Sequence, residues 1–196
     1  MVTQARSIDV APTTERDQAV ATLTAAFGSD PVVRWVWRDA AQYLTYFGPF
    51  VDAFAGGAFA NGSAHVAGAF AGVALWLPPG VTSNEEAMGE IAEASIPADE
   101  QDEVFAFLGI QAEFHPHEPH WYLPLIGVHP AEQGRGYGAA LLEYALATAD
   151  AEQLLAYLEA TSKLNRALYE RHGFEEIGVI QYGSSPPMWP MLRKPR

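Results

Sequence analysis

Residues 128–138, VHPAEQGRGYG, place three glycines within five positions, after an apolar run and ahead of a helical pattern. Glycine loses more conformational entropy on folding than any other residue, so a glycine cluster indicates unusual torsions or a ligand that approaches the backbone closely. The residues that follow, AALLEYALATAD, repeat apolar side chains at helical spacing. Free backbone N–H groups and the positive end of a helix dipole therefore meet at this loop, an arrangement that binds anions and most commonly phosphate.

The bulk composition limits the classes of protein that the chain can represent. Its 196 residues, 49% of them hydrophobic, predict one globular domain spanning residues 1–196. Cysteine is absent, so disulfides, thiolate metal sites and a cysteine nucleophile are excluded. The formal charge of −13 argues against nucleic acid or an anionic membrane surface as a partner, and it is compatible with a cationic ligand.

Two segments bear on localisation. The stretch MVTQARSIDV lacks the apolar core of a signal peptide, so we expect a cytoplasmic protein. Residues 53–77 are weakly charged, but turn-forming residues interrupt them. We therefore predict a helix end followed by two strands there, not a membrane span.

Helical and strand patterns alternate along the chain without repeats or an obvious linker, which predicts a mixed α/β fold. Helical patterns fall at residues 15–28, 34–57 with Pro49 breaking or kinking the second, 83–93 with Ser83 and Glu86 as a capping box, a run after Pro97, 139–150 and 163–173. Strand patterns fall at residues 6–14, 63–68, 70–80, 121–128, 154–160, 174–183 and 187–194.

Two phosphate-binding designs compete for the glycine loop. Gly134, Gly136 and Ala139 have the spacing of a dinucleotide-binding loop, with Glu159 as the ribose ligand after the next strand. However, a proline-containing segment separates the strand from the first glycine, and too few strands follow for a doubly wound sheet. A P-loop is excluded because no Gly-Lys-Ser/Thr sequence closes the loop.

The second design is more specific. The motif V-x-P-x-x-[QR]-G-x-G-x-[GA] is filled at every marked position, by Val128, Pro130, Gln133, Gly134, Gly136 and Gly138. It resembles the coenzyme A loop of the GCN5-related N-acetyltransferases (GNAT), and NRALYERHGF is similar to the C-terminal helix motif of that family. VALWLPPG and the aromatic helices resemble the puromycin N-acetyltransferase-like subfamily. The resemblance implies a mixed, mostly antiparallel central sheet flanked by helices, with splayed central strands.

The resemblance also implies acetyl-CoA as cosubstrate. In the loop, backbone N–H groups cradle the pyrophosphate, and Arg135 adds a charge-assisted contact. Pro124 and Gly127 disfavour a regular central strand and predict a bulge or splay, beside which the pantetheine arm pairs with the strand. The expected cofactor-binding residues are Ile126, Gly127, Val128, Gln133, Gly134, Arg135, Gly136, Tyr137, Gly138 and Asn165.

The catalytic groups follow from the same resemblance and from local chemistry. Tyr169, four residues after Asn165, is the candidate acid that protonates the departing thiolate. The general base is open: Glu118 ranks first, His120 second, and a water relay is an alternative. Prolines between the histidines of HPHEPH argue against a metal site, so no metal is expected.

The acceptor is the least constrained part of the interpretation. Trp35, Trp37 and Tyr43 either line an acceptor pocket or belong to the core. We predict an N-acetyltransferase that acts on a primary amine of a small molecule by direct transfer in a ternary complex, as a monomer or homodimer. A non-catalytic acyl-CoA sensor and a protein N-terminal or lysine acetyltransferase are the alternatives. The helical insert at residues 82–120 is expected to cover the open groove that a peptide needs.

Overall fold

Seven strands form a single sheet in the computed structural model, which describes residues 8–196. The spatial order is β1-β2-β3-β4-β5-β7-β6. Neighbouring strands are antiparallel except for β4 and β5, which are parallel. The strands are β1 (Val10–Pro12), β2 (Ala64–Ala67), β3 (Gly72–Leu77), β4 (His120–Val128), β5 (Leu155–Ala160), β6 (Glu175–Glu176) and β7 (Trp189–Arg193). The predicted mixed, mostly antiparallel sheet is confirmed.

Within the described residues 8–196, eight helices flank this sheet. They are α1 (Arg16–Phe27), α2 (Pro31–Val36), α3 (Ala40–Ala55), α4 (Gly57–Ala60), α5 (Glu85–Ser95), α6 (Ala98–Glu113), α7 (Tyr137–Ala151) and α8 (Lys163–Arg171). A short 3-10 turn, Pro130–Glu132, connects β4 to the glycine loop.

The helical stretch predicted at residues 34–57 is divided in a different way from the sequence expectation. The break comes before residue 40, where Asp39 caps α3 through bonds from the N–H groups of Ala41 and Gln42. Pro49 lies inside α3 and does not end it. The capping residue of α5 is likewise Asn84 and not Ser83, whose hydroxyl donates to the carbonyl of Phe54.

Alternate residues of the strands face two separate core layers. One layer contains Leu23 of α1, Phe47 of α3 and Tyr157 of β5. The other contains Leu141 of α7 and Leu158 of β5, beside α8. The sheet is therefore packed with helices on both faces, and α7, which follows the glycine loop, is anchored by its buried side.

Strand β4 carries the irregularity that the sequence predicts. Leu75 of β3 pairs with Leu125 and Leu77 with Tyr122, so β4 contains one extra residue in this interval, beside Pro124. This is a β-bulge. Gly127 is needed nearby for packing, because a Cβ atom there would lie 2.7 Å from the Cβ atom of Ala26 in α1.

Strands β4 and β5 separate after the bulge. Their parallel pairing ends at Leu123 and Leu158, whereas β4 continues along β3 as far as Val128. The predicted splay of the central strands is confirmed. One edge of β4 is consequently unpaired with β5 along residues 124–128.

The weakly charged residues 53–77 comprise the end of α3, the short α4 and the strands β2 and β3. Within residues 8–196, no helix is both long and apolar enough to cross a membrane.

Candidate active site

The glycine loop presents a row of backbone N–H groups. Gly134 and Gly136 have φ values of 76° and 90°, which residues other than glycine rarely adopt. Helix α7 begins directly afterwards at Tyr137. Among the described residues, none of the N–H groups of residues 133–138 donates a hydrogen bond. The loop therefore has the donors and the helix dipole of an anion site.

Three loop side chains have partners within the protein. Gln133 donates to the carbonyl of Val128 at 3.3 Å and ties the loop to the end of β4. Arg135, expected to contact a phosphate, forms an exposed ion pair with Glu132 at 2.8 Å. The ring of Tyr137 packs on the β2–β3 turn, where a Cβ atom on Gly68 would lie 2.3 Å from it. Tyr137 consequently offers its backbone, and not its ring, to a ligand at the loop.

The open edge of β4 leads from this loop towards the bulge. The N–H group of His129 donates to the carbonyl of Ala71 beside β3. Because successive residues of a strand direct their backbone groups to opposite edges, Gly127 also faces β3, whereas Ile126 and Val128 face the edge that β5 leaves. These are the two residues from which the sequence predicts backbone bonds to pantetheine.

Tyr169 lies on α8 behind the splay. Ser162 caps this helix by accepting from the N–H group of Asn165, which is half-buried. Tyr169 is 4% exposed and packs edge-on against Phe174. Burial, followed by the negative charges of Asp30 and Glu159, raises the pKa of the Tyr169 phenol. The phenol is thus held in its protonated form, as an acid must be.

Asp30, whose negative charge acts on the Tyr169 phenol, is a second polar group near the end of β5. Its carboxylate caps α2 by accepting from the N–H groups of Val32 and Val33, each at 3.0 Å. It also accepts a short hydrogen bond from the hydroxyl of Thr161, which follows β5. Burial raises the pKa of Asp30. The hydrogen bond between Thr161 and Asp30 therefore links the end of β5 to the α1–α2 connection.

Glu159, named from the sequence only as the ribose ligand of the competing dinucleotide-binding design, is a further candidate functional residue. It follows the last β4–β5 pair, and its side chain is 5% exposed. Gln111 donates to its carboxylate at 3.1 Å and the Tyr122 hydroxyl at 3.0 Å, and His115 lies at 3.4 Å. The glutamate is therefore a buried carboxylate at the apex of the splay.

The two base candidates from the sequence lie in the turn before β4. The side chain of Glu118 is exposed, and the ring of His120 donates to the backbone carbonyl of Glu118 at 2.8 Å. The ring of His120 lies 5.9 Å from that of His115. His120 consequently borders the Glu159 cluster, whereas the Glu118 carboxylate lies in solvent. Within residues 8–196, no group of three or more His, Asp or Glu side chains is close enough to hold a metal ion.

The aromatic residues proposed to line an acceptor pocket belong mainly to the core. Trp37 and Tyr43 are 3% and 4% exposed, and their polar atoms are bonded to Ser95 and Thr24. Trp35 is half-buried against Phe107. Buried rings with satisfied polar atoms stabilise the helical layer and present no face to a ligand, so the packing alternative applies to Trp37 and Tyr43.

The fold and the loop define an enzyme that transfers acetyl groups. The chain belongs to the acetyltransferase (GNAT) family, which it matches over residues 65–174. It is 28% identical over 197 residues to an uncharacterized N-acetyltransferase, C550.08, of Schizosaccharomyces pombe, with 91% of this chain and 79% of the relative covered.

Solved structures share the fold over almost the whole chain. A Corynebacterium glutamicum protein described as histone acetyltransferase HPA2 and related acetyltransferase is 28% identical, with a TM-score of 0.69 and 97% of both chains covered. Arylalkylamine N-acetyltransferase 2 of Aedes aegypti is 17% identical, with a TM-score of 0.70 and coverage of 97% of this chain and 100% of the other.

Proposed function

We propose that this enzyme acetylates the primary amine of a small cationic molecule, with acetyl-CoA as donor and by direct transfer in a ternary complex. The observation that carries the proposal is the continuity of three features. The unpaired N–H groups of the glycine loop adjoin the open edge of β4, and that edge leads to the buried Tyr169 and Glu159.

The chain fits coenzyme A at the loop. A pyrophosphate accepts hydrogen bonds from the N–H groups of residues 133–138, and Gly134 leaves room because no atom lies within 4 Å of its missing Cβ. Ile126 and Val128 bond the amides of the pantetheine arm, Asn165 binds alongside it, and Arg135 exchanges Glu132 for a phosphate. When bound, acetyl-CoA supplies a thioester that is reactive towards an amine.

Tyr169 acts as the general acid. Its buried phenol is neutral and donates a proton to the thiolate as the carbon–sulfur bond breaks. A backbone N–H group of the bulged strand stabilises the developing oxyanion.

The acidic character of the site supports a cationic acceptor. Within residues 8–196, neither Asp30 nor Glu159 forms an ion pair with a lysine or arginine. A buried carboxylate without a cation favours an ammonium ligand. The similarity to an arylalkylamine N-acetyltransferase points to the same substrate class. Helices α5 and α6 occupy the insert at residues 82–120, and Gln111 of α6 covers Glu159, which favours a small acceptor over a peptide.

Thiol release from acetyl-CoA in the presence of an amine panel tests the proposal. The panel contains arylalkylamines, polyamines, aminonucleosides, aminoglycosides, amino acids and lysine peptides, and mass spectrometry identifies the products. We expect turnover with small cationic amines. Activity confined to peptides or protein N-termini, or a preference for anionic acceptors, would refute the substrate class.

The coenzyme A site is tested separately with Gly138→Val. The new Cβ would lie 3.4 Å from Leu168 and 3.8 Å from Val128, which is ordinary contact, so the variant is expected to fold. We expect its affinity for coenzyme A in titration calorimetry to fall at least tenfold. Gly89→Ala, in open space on α5, is the control and should bind normally. Equal affinity of both variants would remove the loop from the cofactor site.

A further inference from the structure

We propose that Glu159 binds the ammonium group of the acceptor and removes its proton, and that His115 carries this proton to solvent. This inference rests on the proposed function and names the base that the function requires. Glu159 is the first residue of β5 beyond its pairing with β4, so it lies where the open edge of β4 ends. An acceptor that attacks a thioester held along that edge must approach the same point.

The hydrogen bonds of Glu159 leave it suited to a cation. Gln111 and Tyr122 occupy one carboxylate oxygen each. Two neutral donors satisfy part of the acceptor capacity of a carboxylate, and within residues 8–196 no lysine or arginine pairs with its charge. Bringing an ammonium group to this carboxylate therefore compensates a buried charge, which is a strong driving force for binding.

Tyr157 supplies an independent indication of a polar ligand. Its side chain is fully buried on the same face of β5 as Glu159, and its hydroxyl has no hydrogen-bond partner in the described chain. Leaving a buried hydroxyl without a hydrogen bond is unfavourable, so a partner that supplies one is favoured. Burial and the adjacent charge of Glu159 raise the pKa of this phenol, so the hydroxyl is a neutral group that an amine or a water molecule can pair with.

His115 connects Glu159 to the exterior. Its ring lies 4.6 Å from the rings of both Tyr122 and Tyr157, and its Nε2 atom is 3.4 Å from the Glu159 carboxylate. The side chain is nevertheless 31% exposed, in contrast to 5% for Glu159. An imidazole that contacts a buried carboxylate at one side and solvent at the other can relay a proton between them. His120, with its ring 5.9 Å away, borders the exit.

The proton balance of the reaction agrees with this division of roles. The ammonium nitrogen carries three protons and the amide product carries one. The first proton passes to Glu159 and through His115 to solvent, which frees the nitrogen lone pair to form the bond to the acetyl carbon. As the carbon–sulfur bond breaks, Tyr169 protonates the thiolate. The second nitrogen proton restores the Tyr169 phenol, so the net products are amide, thiol and one released proton.

The pH dependence involves every ionisable group that faces Glu159. From β4 these are Tyr122 and His120, from β5 Tyr157, and from the α6–β4 connection His115. Tyr169 of α8 interacts with Glu159 and with Asp30. Burial raises the pKa values of these three tyrosines and keeps them neutral, so they do not contribute to a fall of activity towards acidic pH.

Glu159→Gln tests the base while it preserves the size of the side chain and keeps one of its two oxygen acceptors. With an alkylamine at pH 7, we expect kcat/KM to fall about 10²-fold or more. Activity should recover as the pH approaches the pKa of the amine, because free amine no longer requires a base. With an aniline-type acceptor, which is neutral at pH 7, the kcat/KM of Glu159→Gln should fall much less. Glu175→Gln, at an exposed glutamate of β6, is the matched control and should retain wild-type kinetics.

His115→Gln tests the exit route. We expect a lower kcat that rises with added imidazole, because a diffusing base replaces the lost relay. Glu159→Gln should show no such rescue, since its defect lies at the buried end. Loss of activity in His115→Gln without imidazole rescue would overturn the relay.

Binding separates failure of this inference from failure of the proposed function. Calorimetry of the alkylamine with the coenzyme A-loaded protein should give at least tenfold weaker binding for Glu159→Gln than for Glu175→Gln. Equal binding, or equal losses with the alkylamine and the aniline, would overturn the role of Glu159. If the wild type transfers acetyl groups only to peptides, the substrate class fails, whereas the binding comparison still decides whether Glu159 holds an ammonium group.

Discussion

His65 makes the stability of the protein sensitive to mild acid. It lies on β2 between Pro12 of β1 and Ala74 of β3, and its ring meets that of Tyr144 at 4.9 Å. The side chain is buried, and its Nδ1 atom has no hydrogen-bond partner in the described chain. Burial lowers the pKa of His65 from 6.5 to about 4. The folded protein therefore keeps this histidine neutral at pH values where the unfolded chain protonates it.

The size of the effect follows from that difference in proton affinity. As the pH falls below 6.5, the unfolded chain takes up a proton that the folded chain accepts only near pH 4, so the free energy of unfolding decreases. Linkage gives a loss of about 2 kcal/mol between pH 7 and pH 5, and about 3 kcal/mol once the pH is below 4. The ordinary pKa of histidine lies within this interval, whereas the ordinary pKa values of aspartate and glutamate lie below it.

Urea unfolding at pH 7 and pH 5 measures the effect for the wild type and for His65→Leu. Leucine fills the buried position without a titrating group, so the variant should lose about 2 kcal/mol less than the wild type on acidification. His117→Gln removes an exposed histidine and should behave as the wild type. A His65→Leu variant that loses as much stability as the wild type would refute the reasoning.

Two further predictions concern the acid and the fold. Tyr169→Phe should lower kcat about 10²-fold or more, with an unchanged Kd for acetyl-CoA, because only the proton donor is lost; near-normal kcat in steady-state assays would reduce Tyr169 to a packing residue. Asp150→Asn should lower the free energy of unfolding by roughly 2–3 kcal/mol and Tm by about 4–12 °C, because Arg193 is buried and held by both carboxylate oxygens at 2.7 and 2.8 Å. Calorimetric melting would contradict this if the two proteins had equal Tm values.

The features that the sequence predicts correctly are those written in a few adjacent residues. The torsions of Gly134 and Gly136 and the start of α7 follow from local glycine chemistry. Pro124 predicts the bulge of β4, since a proline cannot donate to a strand ladder. The order of strands and helices follows from periodicity. The puromycin-like subfamily and the small-molecule primary amine as acceptor stay predictions.

Local sequence patterns do not identify the role of a residue when its type is suited to two different roles. From the sequence, Trp37 and Tyr43 are compatible with a pocket and, more often for such residues, with the core. The structure shows that their polar atoms bond Ser95 and Thr24 inside the helical layer. Ser83 and Asn84 are both good capping residues. The contact between Ser83 and the Phe54 carbonyl, distant in sequence, leaves the cap to Asn84.

The base candidate shows why a catalytic cluster can escape a reading of the sequence. Glu159 acquires its environment from Gln111, His115 and Tyr122, which are 37 to 48 positions away along the chain. The parallel register brings Tyr122 beside β5, and the end of α6 then covers the carboxylate. Neither condition is visible in residues 155–160 alone, where Glu159 is one polar residue in an apolar strand. A buried carboxylate at a strand end, two residues beyond a paired tyrosine, is the only local signal. The signal indicates a catalytic role only when the structure shows that β4 and β5 separate at this point, so that Glu159 lies beside the unpaired edge of β4.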